Sequence, residues 1–137
     1  MMTNKQIMDD YRTQRIACVA LGNDINALRR TMQAPRTPSM DGMPHGGHQT
    51  TIDDMIARVD DMERTLRDKL DSIAPIGRSI AAAIASIDDV TARRALEMRY
   101  IRCMDNRDIA KALSYTESGI RGIYQWVIPC MSIDIHQ

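Results

Sequence analysis

Apolar residues near the start of the chain recur at alternating spacings of three and four positions. A stripe with this spacing lies along one face of a helix and is typical of a coiled coil. It predicts a long amphipathic helix that ends before Pro35, because proline interrupts helical hydrogen bonding. The stripe consists of Ile7, Tyr11, Cys18, Leu21, Ile25, Leu28 and Met32, with Gln14 at one intervening position.

A loop is predicted over residues 34–50. This segment contains three prolines and three glycines and shows no periodicity. Thr50 or Thr51 would cap the helix that follows, and Asp53 and Asp54 suit its first turn because acidic groups favour the positive end of the helix dipole.

The second long helix carries an apolar residue at every seventh position. Two members of the accompanying second series depart from the pattern, namely Glu63 and Gly77. Pro75 lies inside the run, and the pattern continues in phase beyond it, so we expect a bend and not a break. The first series is Ile52, Val59, Leu66, Ile73, Ile80 and Ile87, and the second includes Ile56, Leu70 and Ile84.

Two apolar stripes of this length need partners. We expect the two helices to form a long antiparallel, coiled-coil-like hairpin over residues 1–87. A homodimer through the long helices is a further expectation, and Ala82, Ala83 and Ala85 beside the stripe could supply the additional surface.

Residues 88–129 are predicted to form a three-helix bundle with a helix-turn-helix inside it. The pair Asp88-Asp89 can cap a helix from residue 90 to about 103. Asp105, three residues before Asp108, resembles an acidic capping box and opens a short helix over residues 106–113.

A helix-turn-helix needs a small residue where its helices cross, apolar inner faces, a sharp turn and an exposed second helix. Ala110 suits the crossing point, Ser114 and Tyr115 the turn, and Thr116 the N-cap of the second helix. A left-handed Ser114 would cost about 1 kcal/mol, which glycine would avoid. The inner faces consist of Ile109, Leu113, Ile120, Ile123 and Val127.

The outward residues of the second helix are the candidate DNA contacts. Arg121 suits a bidentate contact to guanine, Gln125 suits adenine, and Ser118 suits a base edge or a phosphate. The alternative is that these are ordinary solvated side chains on a helical bundle. The candidate set is Thr116, Glu117, Ser118, Arg121, Gly122 and Gln125, with Arg107 and Lys111 beside the groove and Arg93, Arg94, Arg99 and Arg102 as further phosphate contacts.

Charge supports only a local DNA contact. The chain has 18 basic and 18 acidic residues, so bulk electrostatic attraction to nucleic acid is excluded. Residues 90–128 hold seven basic and four acidic side chains, a net charge of +3, and residues 1–89 have a net charge of −2. Size also matters, because 137 residues leave little room for a large buried active site.

Other chemistry finds little support in the sequence. Three widely spaced cysteines without CxxC spacing favour reduced thiols in the cytoplasm. No apolar stretch suits a membrane span, and no enzyme or cofactor motif occurs. His45 and His48 lack a third metal ligand nearby. Tyr124 and Trp126 are interpreted as packing residues.

The C-terminal motifs resemble a known family. The runs Arg93-x-x-Leu96-x-x-Arg99-Tyr100-Ile101 and Asp108-Ile109-Ala110-x-x-Leu113-Ser114-Tyr115-Thr116-Glu117, followed by Ile120 and Tyr124, are similar to the region-four helix-turn-helix of sigma factors in small phage proteins. The string Ser39-Met40-Asp41-Gly42-Met43-Pro44-His45-Gly46-Gly47 resembles the linker of a phage and prophage family with the same layout of long helices.

The resemblance extends to late transcriptional activators of the ArpU and RinA type. It implies a phage-encoded regulator without cofactor or enzymatic activity that binds double-stranded DNA, contacts host RNA polymerase and acts on late or packaging genes in the bacterial cytoplasm. Two alternatives remain open: a DNA-packaging recognition subunit of the small-terminase type, and a coiled-coil interaction protein that does not bind DNA. Residues 130–137 are expected to form a tail.

Overall fold

The computed structural model describes residues 2–33 and 52–135, and all regular structure within these ranges is helical, as predicted. A π-helical segment follows α3, and a short 3-10 helix follows α5. The loop predicted over residues 34–50, with its linker string and both of its histidines, lies outside the described residues. The elements are α1 (Asn4–Gln33), α2 (Ile52–Ala85), α3 (Val90–Leu96), the π segment (Glu97–Ile101), α4 (Asn106–Leu113), α5 (Glu117–Val127) and the 3-10 helix (Ile128–Cys130).

The third predicted helix is only partly α-helical. The α-helical bonding of α3 ends at Leu96, and the π segment replaces it before the chain turns at Cys103, whose φ is 58°. The amide of Arg102 donates to the carbonyl of Glu97 at 3.0 Å, and that of Met104 donates to Met98 at 2.9 Å. These longer-range bonds replace the α-helical ones expected up to residue 103. In contrast, the N-cap at Asp89 is confirmed, since its carboxylate accepts from the Ala92 amide.

The described chain divides into two compact units. Unit 1 consists of Met1–Ala17 and Leu70–Gln137, and unit 2 consists of Cys18–Lys69. Both long helices contribute to both units. The position predicted as a domain boundary, between residues 87 and 88, lies inside unit 1.

Unit 1 contains most of the buried side chains. On α1 the buried apolar stripe also contains Met8, which is fully buried. Met8 does not belong to the alternating three- and four-residue spacing of the sequence pattern. Such a stripe is wider than a two-position coiled-coil seam. The largest fully buried side chains of unit 1 are Met8, Ile80, Ile84, Leu96, Tyr100, Ile109, Ile120 and Ile128.

Gly77 of α2 explains one departure from the coiled-coil pattern. A Cβ atom at this position would lie 2.5 Å from the Tyr11 hydroxyl oxygen and 2.9 Å from two ring atoms. The absence of a side chain therefore makes the room that the buried Tyr11 ring occupies. Helix α2 continues through Pro75 without interruption between Ile52 and Ala85.

Glu63, the other departure, forms an ion pair with Arg29 of α1 inside unit 2. In the same unit, a Cβ atom on Gly22 would lie 4.0 Å from a methyl carbon of Leu66. Cys18, Ile25 and Val59 are buried, and Val19, Ile52 and Ile56 are exposed. A polar residue at a seam position is therefore accommodated by a cross-helix partner.

The last described residues follow the 3-10 helix and stay within unit 1. The side-chain amide of Asn4 donates to the carbonyls of Ile128 at 2.9 Å and Met131 at 2.7 Å. Ser132, Asp134 and Ile135 line a cavity of about 490 Å³ together with α2 residues, among them Ala82 and Ala83. In the ranges 2–33 and 52–135, no helix has the length and apolarity needed to cross a membrane.

Candidate nucleic-acid interface

Helix α4 begins at the predicted position but without the predicted capping box. Asp105 occupies the N-cap position, yet its side chain makes no capping hydrogen bond. Its carboxylate instead lies 3.6 Å from the guanidinium of Arg12 on α1. An ion pair with a distant part of the chain therefore replaces the local cap.

The turn between α4 and α5 has the predicted chemistry. Ser114 is left-handed, with φ 59° and ψ 42°. The Tyr115 amide donates to the Ala110 carbonyl at 2.8 Å, which closes the end of α4. Thr116 is the N-cap of α5, and its hydroxyl oxygen accepts from the Gly119 amide at 2.9 Å. Both capping predictions for this turn are confirmed.

The faces that α4 and α5 turn inward are apolar and buried. Ala110, the predicted crossing point, is buried, and Leu113 is half-buried. The remaining inner positions are all buried: Ile109, Ile120, Ile123 and Val127. Because the inner face of α5 is fully used in packing, the opposite face is the one available to a ligand.

The outer face of α5 carries the predicted contact residues. Gly122 is half-buried, and a Cβ atom there would meet nothing within 4 Å. At 100° per residue, Ser118, Gly122 and Gln125 form the outer ridge, with Arg121 on one flank and Trp126 on the other. Exposed members of the predicted set are Thr116, Glu117, Ser118, Arg121 and Gln125 on α5 and its cap, and Arg107 and Lys111 on α4.

The two aromatic residues of α5 have different environments. Tyr124 is buried, as predicted, but the prediction that Trp126 packs in the core is wrong, because its side chain is 55 % exposed. The physical reason is helical phase, since position 126 lies 240° around the helix from Ile120, close to the outer ridge. An exposed indole thus borders the candidate interface.

Tyr124 of α5 and Tyr100 of the π segment form a buried aromatic pair with polar hydroxyl groups. Their ring centroids lie 6.3 Å apart in an edge arrangement. The Tyr100 hydroxyl donates to Asp9 at 2.9 Å, and that of Tyr124 donates to the Asn106 side-chain oxygen at 3.0 Å. Burial raises the pKa of Tyr124 to about 12, and it also raises the pKa of Tyr100, with the Asp9 carboxylate adding to the effect. Both hydroxyls therefore remain protonated donors at neutral pH.

A groove of about 1080 Å³ runs beside α5 within unit 1. Arg121 and Gln125 line one side, and residues of the first turns of α1, including Lys5 and Asp9, line the other. The π segment contributes Arg99 and Tyr100 to the lining. The structure thus brings two of the predicted DNA-reading residues together with basic residues from other elements.

Arg12 joins α1 to the segment that precedes α4. Its guanidinium donates to the carbonyls of Arg99 at 3.1 Å, Cys103 at 3.3 Å and Met104 at 3.1 Å. These carbonyls end the π segment and form the left-handed turn, where helical donors are no longer available. The side chain is only 14 % exposed, so these bonds are shielded from solvent.

Sequence reasoning did not identify Arg12, Asp9 or Lys5 as neighbours of α5. Their partners lie up to 92 positions away, and no local pattern marks them. The nearest sequence signal is that Lys5, Asp9 and Arg12 follow spacings of four and three, which place them on one helix face.

Comparison of the chain with protein-family models, with curated proteins and with solved structures gave no match.

Within residues 2–33 and 52–135, no group of three or more histidine, cysteine or acidic side chains suits a metal ion. Cys18, Cys103 and Cys130 are free thiols.

Proposed function

We propose that the protein is a DNA-binding transcriptional regulator in which α4, the turn at residues 114–116 and α5 act as a helix-turn-helix. One observation carries the proposal: α5 buries an apolar inner face and exposes an outer face of polar and small residues. The left-handed turn and the Thr116 cap support it, because they set the start of α5 as such a motif requires.

Helix α5 is proposed to enter the major groove with its outer ridge. Arg121 would read guanine through a bidentate contact, and Gln125 would read adenine. Gly122 lets the helix backbone approach the bases, since nothing surrounds the position where a Cβ atom would lie. Arg107 and Lys111 of α4 are exposed and would contact phosphates on the flank.

The long helices are proposed to pair antiparallel within each unit. Support comes from unit 2, where Gly22 lies near Leu66 and Arg29 pairs with Glu63, so that a later residue of α1 meets an earlier residue of α2. A homodimer is proposed on the exposed apolar side chains of unit 2, which are Val19, Ile52 and Ile56. The mass of the particle in solution distinguishes this dimer from the large ring of a packaging subunit.

The biological setting rests on the resemblance to phage late activators. It comprises activation of late or packaging genes together with host RNA polymerase in the bacterial cytoplasm. Fold alone does not fix such a role, so the DNA interaction is the part that the geometry supports best.

The test is selection of bound sequences from random duplex DNA, followed by binding of the selected duplex to Arg121→Ala. We expect wild type to enrich a defined sequence and the variant to bind it about 10- to 100-fold more weakly, the cost of one bidentate base contact. Arg67→Ala, an exposed arginine of unit 2, is the matched control and should bind like wild type. Equal affinity of wild type and Arg121→Ala at every salt concentration would rule out sequence reading by α5.

A further inference from the structure

The groove beside α5 continues the proposed reading surface toward the first turns of α1. Arg121 and Gln125 belong to both, because they lie on the outer face of the helix and also line the groove. The groove is open to solvent along one side, and its volume of about 1080 Å³ exceeds that of most enclosed small-molecule sites. Its shape therefore suits an extended ligand better than a compact one.

The lining of the groove is strongly asymmetric in charge. Among the described residues that line it, four side chains are basic and one, Asp9, is acidic. Lys5 lies 3.2 Å from that carboxylate in an exposed pair, and Arg12 is engaged with carbonyls and with Asp105. The guanidinium groups of Arg99 and Arg121 remain as an excess of positive charge, which favours an anionic ligand.

The two tyrosine hydroxyls at the groove already have hydrogen-bond partners within the protein. The hydroxyl protons of Tyr100 and Tyr124 are donated to Asp9 and Asn106. Arg99 uses one of its five N–H donors on the Met104 carbonyl at 3.4 Å. The charged donors that remain for a ligand include the Lys5 ammonium and the Arg99 guanidinium, and groups of this kind bind phosphate.

The position of Arg99 and Tyr100 depends on the π segment. Widening of the helix over residues 97–101 changes the phase of the side chains that follow, and such π-helical turns are frequent at functional sites. Arg12 binds the Arg99 carbonyl of this segment and the carbonyls of Cys103 and Met104 that follow it. The groove is thus built from three separate parts of the chain that are held together by specific hydrogen bonds.

We propose that this groove binds the phosphodiester backbone of the DNA strand next to α5, with Lys5 and Arg99 as phosphate contacts beside the base-reading Arg121. Helix α1 is then part of the DNA interface, and not only a partner for α2. The inference rests on the proposed function, because it assigns an additional contact surface to the same DNA complex. Asp9 limits the affinity of this surface, since its carboxylate repels the phosphates that Lys5 attracts.

The first test is Asp9→Asn, which removes the acidic charge that the described residues contribute to the groove lining and keeps an oxygen that accepts from Tyr100. We expect duplex DNA to bind about three- to tenfold more tightly at 0.1 M salt, with a steeper dependence of affinity on salt. A gain in affinity cannot result from a damaged fold. Unchanged or weaker binding by a variant whose thermal unfolding matches wild type would overturn the proposal.

The second test is Lys5→Gln, with Lys69→Gln of unit 2 as the matched control. One lost phosphate contact should lower the slope of log affinity against log salt by about 1 and weaken binding about five- to tenfold at 0.1 M salt. The loss should be equal for a selected duplex and for a shuffled one, because phosphates carry no sequence information. Lys69→Gln should reproduce the wild-type slope.

The outcomes separate the two proposals. If Arg121→Ala loses sequence preference while Lys5→Gln and Asp9→Asn bind like wild type, DNA reading stands and the groove is not part of the interface. If the wild-type protein binds no duplex at 0.05 M salt, both proposals are wrong.

Discussion

Gly77 of α2 and Gly122 of α5 both lie inside helices, where glycine is a poor choice of residue. Their surroundings are opposite. At Gly77 the position of the missing Cβ atom lies 2.5 Å from the Tyr11 hydroxyl oxygen, whereas at Gly122 no atom of the described residues lies within 4 Å apart from its chain neighbours and the surrounding backbone of α5. One glycine is explained by its neighbours inside the unit, and the other has no neighbour that explains it.

The two glycines differ in whether packing inside the protein accounts for the missing side chain. Each glycine lowers helix stability by about 1 kcal/mol relative to alanine. In α2 that cost is offset by burial of the Tyr11 ring, which is only 8 % exposed. At Gly122 of α5 no packing among residues 2–33 and 52–135 offsets it, and in the proposed complex the open position would serve the approach of DNA.

The largest effect on stability is expected for Gly77→Ala. The added methyl group would overlap the Tyr11 ring, and the free energy of unfolding should fall by about 1–3 kcal/mol despite the better helix propensity. Urea unfolding measures the change. Gly22→Ala in α1 is the control and should stabilise by up to about 1 kcal/mol, because its methyl group would lie 4.0 Å from the nearest carbon of Leu66.

Tyr11→Phe sharpens the same comparison. Removing the hydroxyl takes away the nearest atom, so Gly77→Ala should cost less in the Tyr11→Phe background than in wild type. Equal costs in both backgrounds would mean that the tyrosine hydroxyl is not the reason for the glycine.

Gly122→Ala is expected to separate stability from binding. The substitution should raise the free energy of unfolding by about 1 kcal/mol, since the methyl group enters open space. The same methyl group should weaken binding to the selected duplex by about tenfold, because it would stand between the α5 backbone and the base edges. A stabilised variant with wild-type affinity would remove Gly122 from the interface.

Ser114→Gly tests a position where the backbone, and not the available space, calls for glycine. With φ at 59°, the serine backbone is in a left-handed conformation that is strained for residues with a Cβ atom. Glycine should therefore raise the free energy of unfolding by about 0.5–1 kcal/mol. Ser114→Ala is the control, since alanine keeps the strain. Thermal unfolding of both variants measures the difference, and equal unfolding midpoints for Ser114→Gly and Ser114→Ala would contradict the expectation.

Local signals accounted for much of the helical structure. The turn from α4 into α5 follows from short-range chemistry, because Ser114 adopts a left-handed dihedral angle and Thr116 caps the amide of Gly119. The burial of the α5 inner face follows from the 3.6-residue period. Such features are encoded where they occur and can be predicted from one sequence.

The groove and its supports could not be predicted in this way. Arg12, Asp9 and Asn4 make their decisive hydrogen bonds with residues 87 to 127 positions later. The π segment also escaped prediction, because no local pattern marks it and the Arg99 carbonyl within it is bound by Arg12, 87 positions earlier. The prediction for Trp126 is wrong because its aromatic character indicates packing, whereas its phase on α5 places it near the exposed outer ridge.

The bonds of Arg12 also have a consequence for synthesis of the chain. The three carbonyls that it binds belong to residues 99, 103 and 104, which are made 87 to 92 residues after it. At about 5–20 residues per second, α1 waits roughly 5–20 s on the ribosome before those partners exist. The contacts of Arg12 are therefore completed only after α2, α3 and the π segment have been translated.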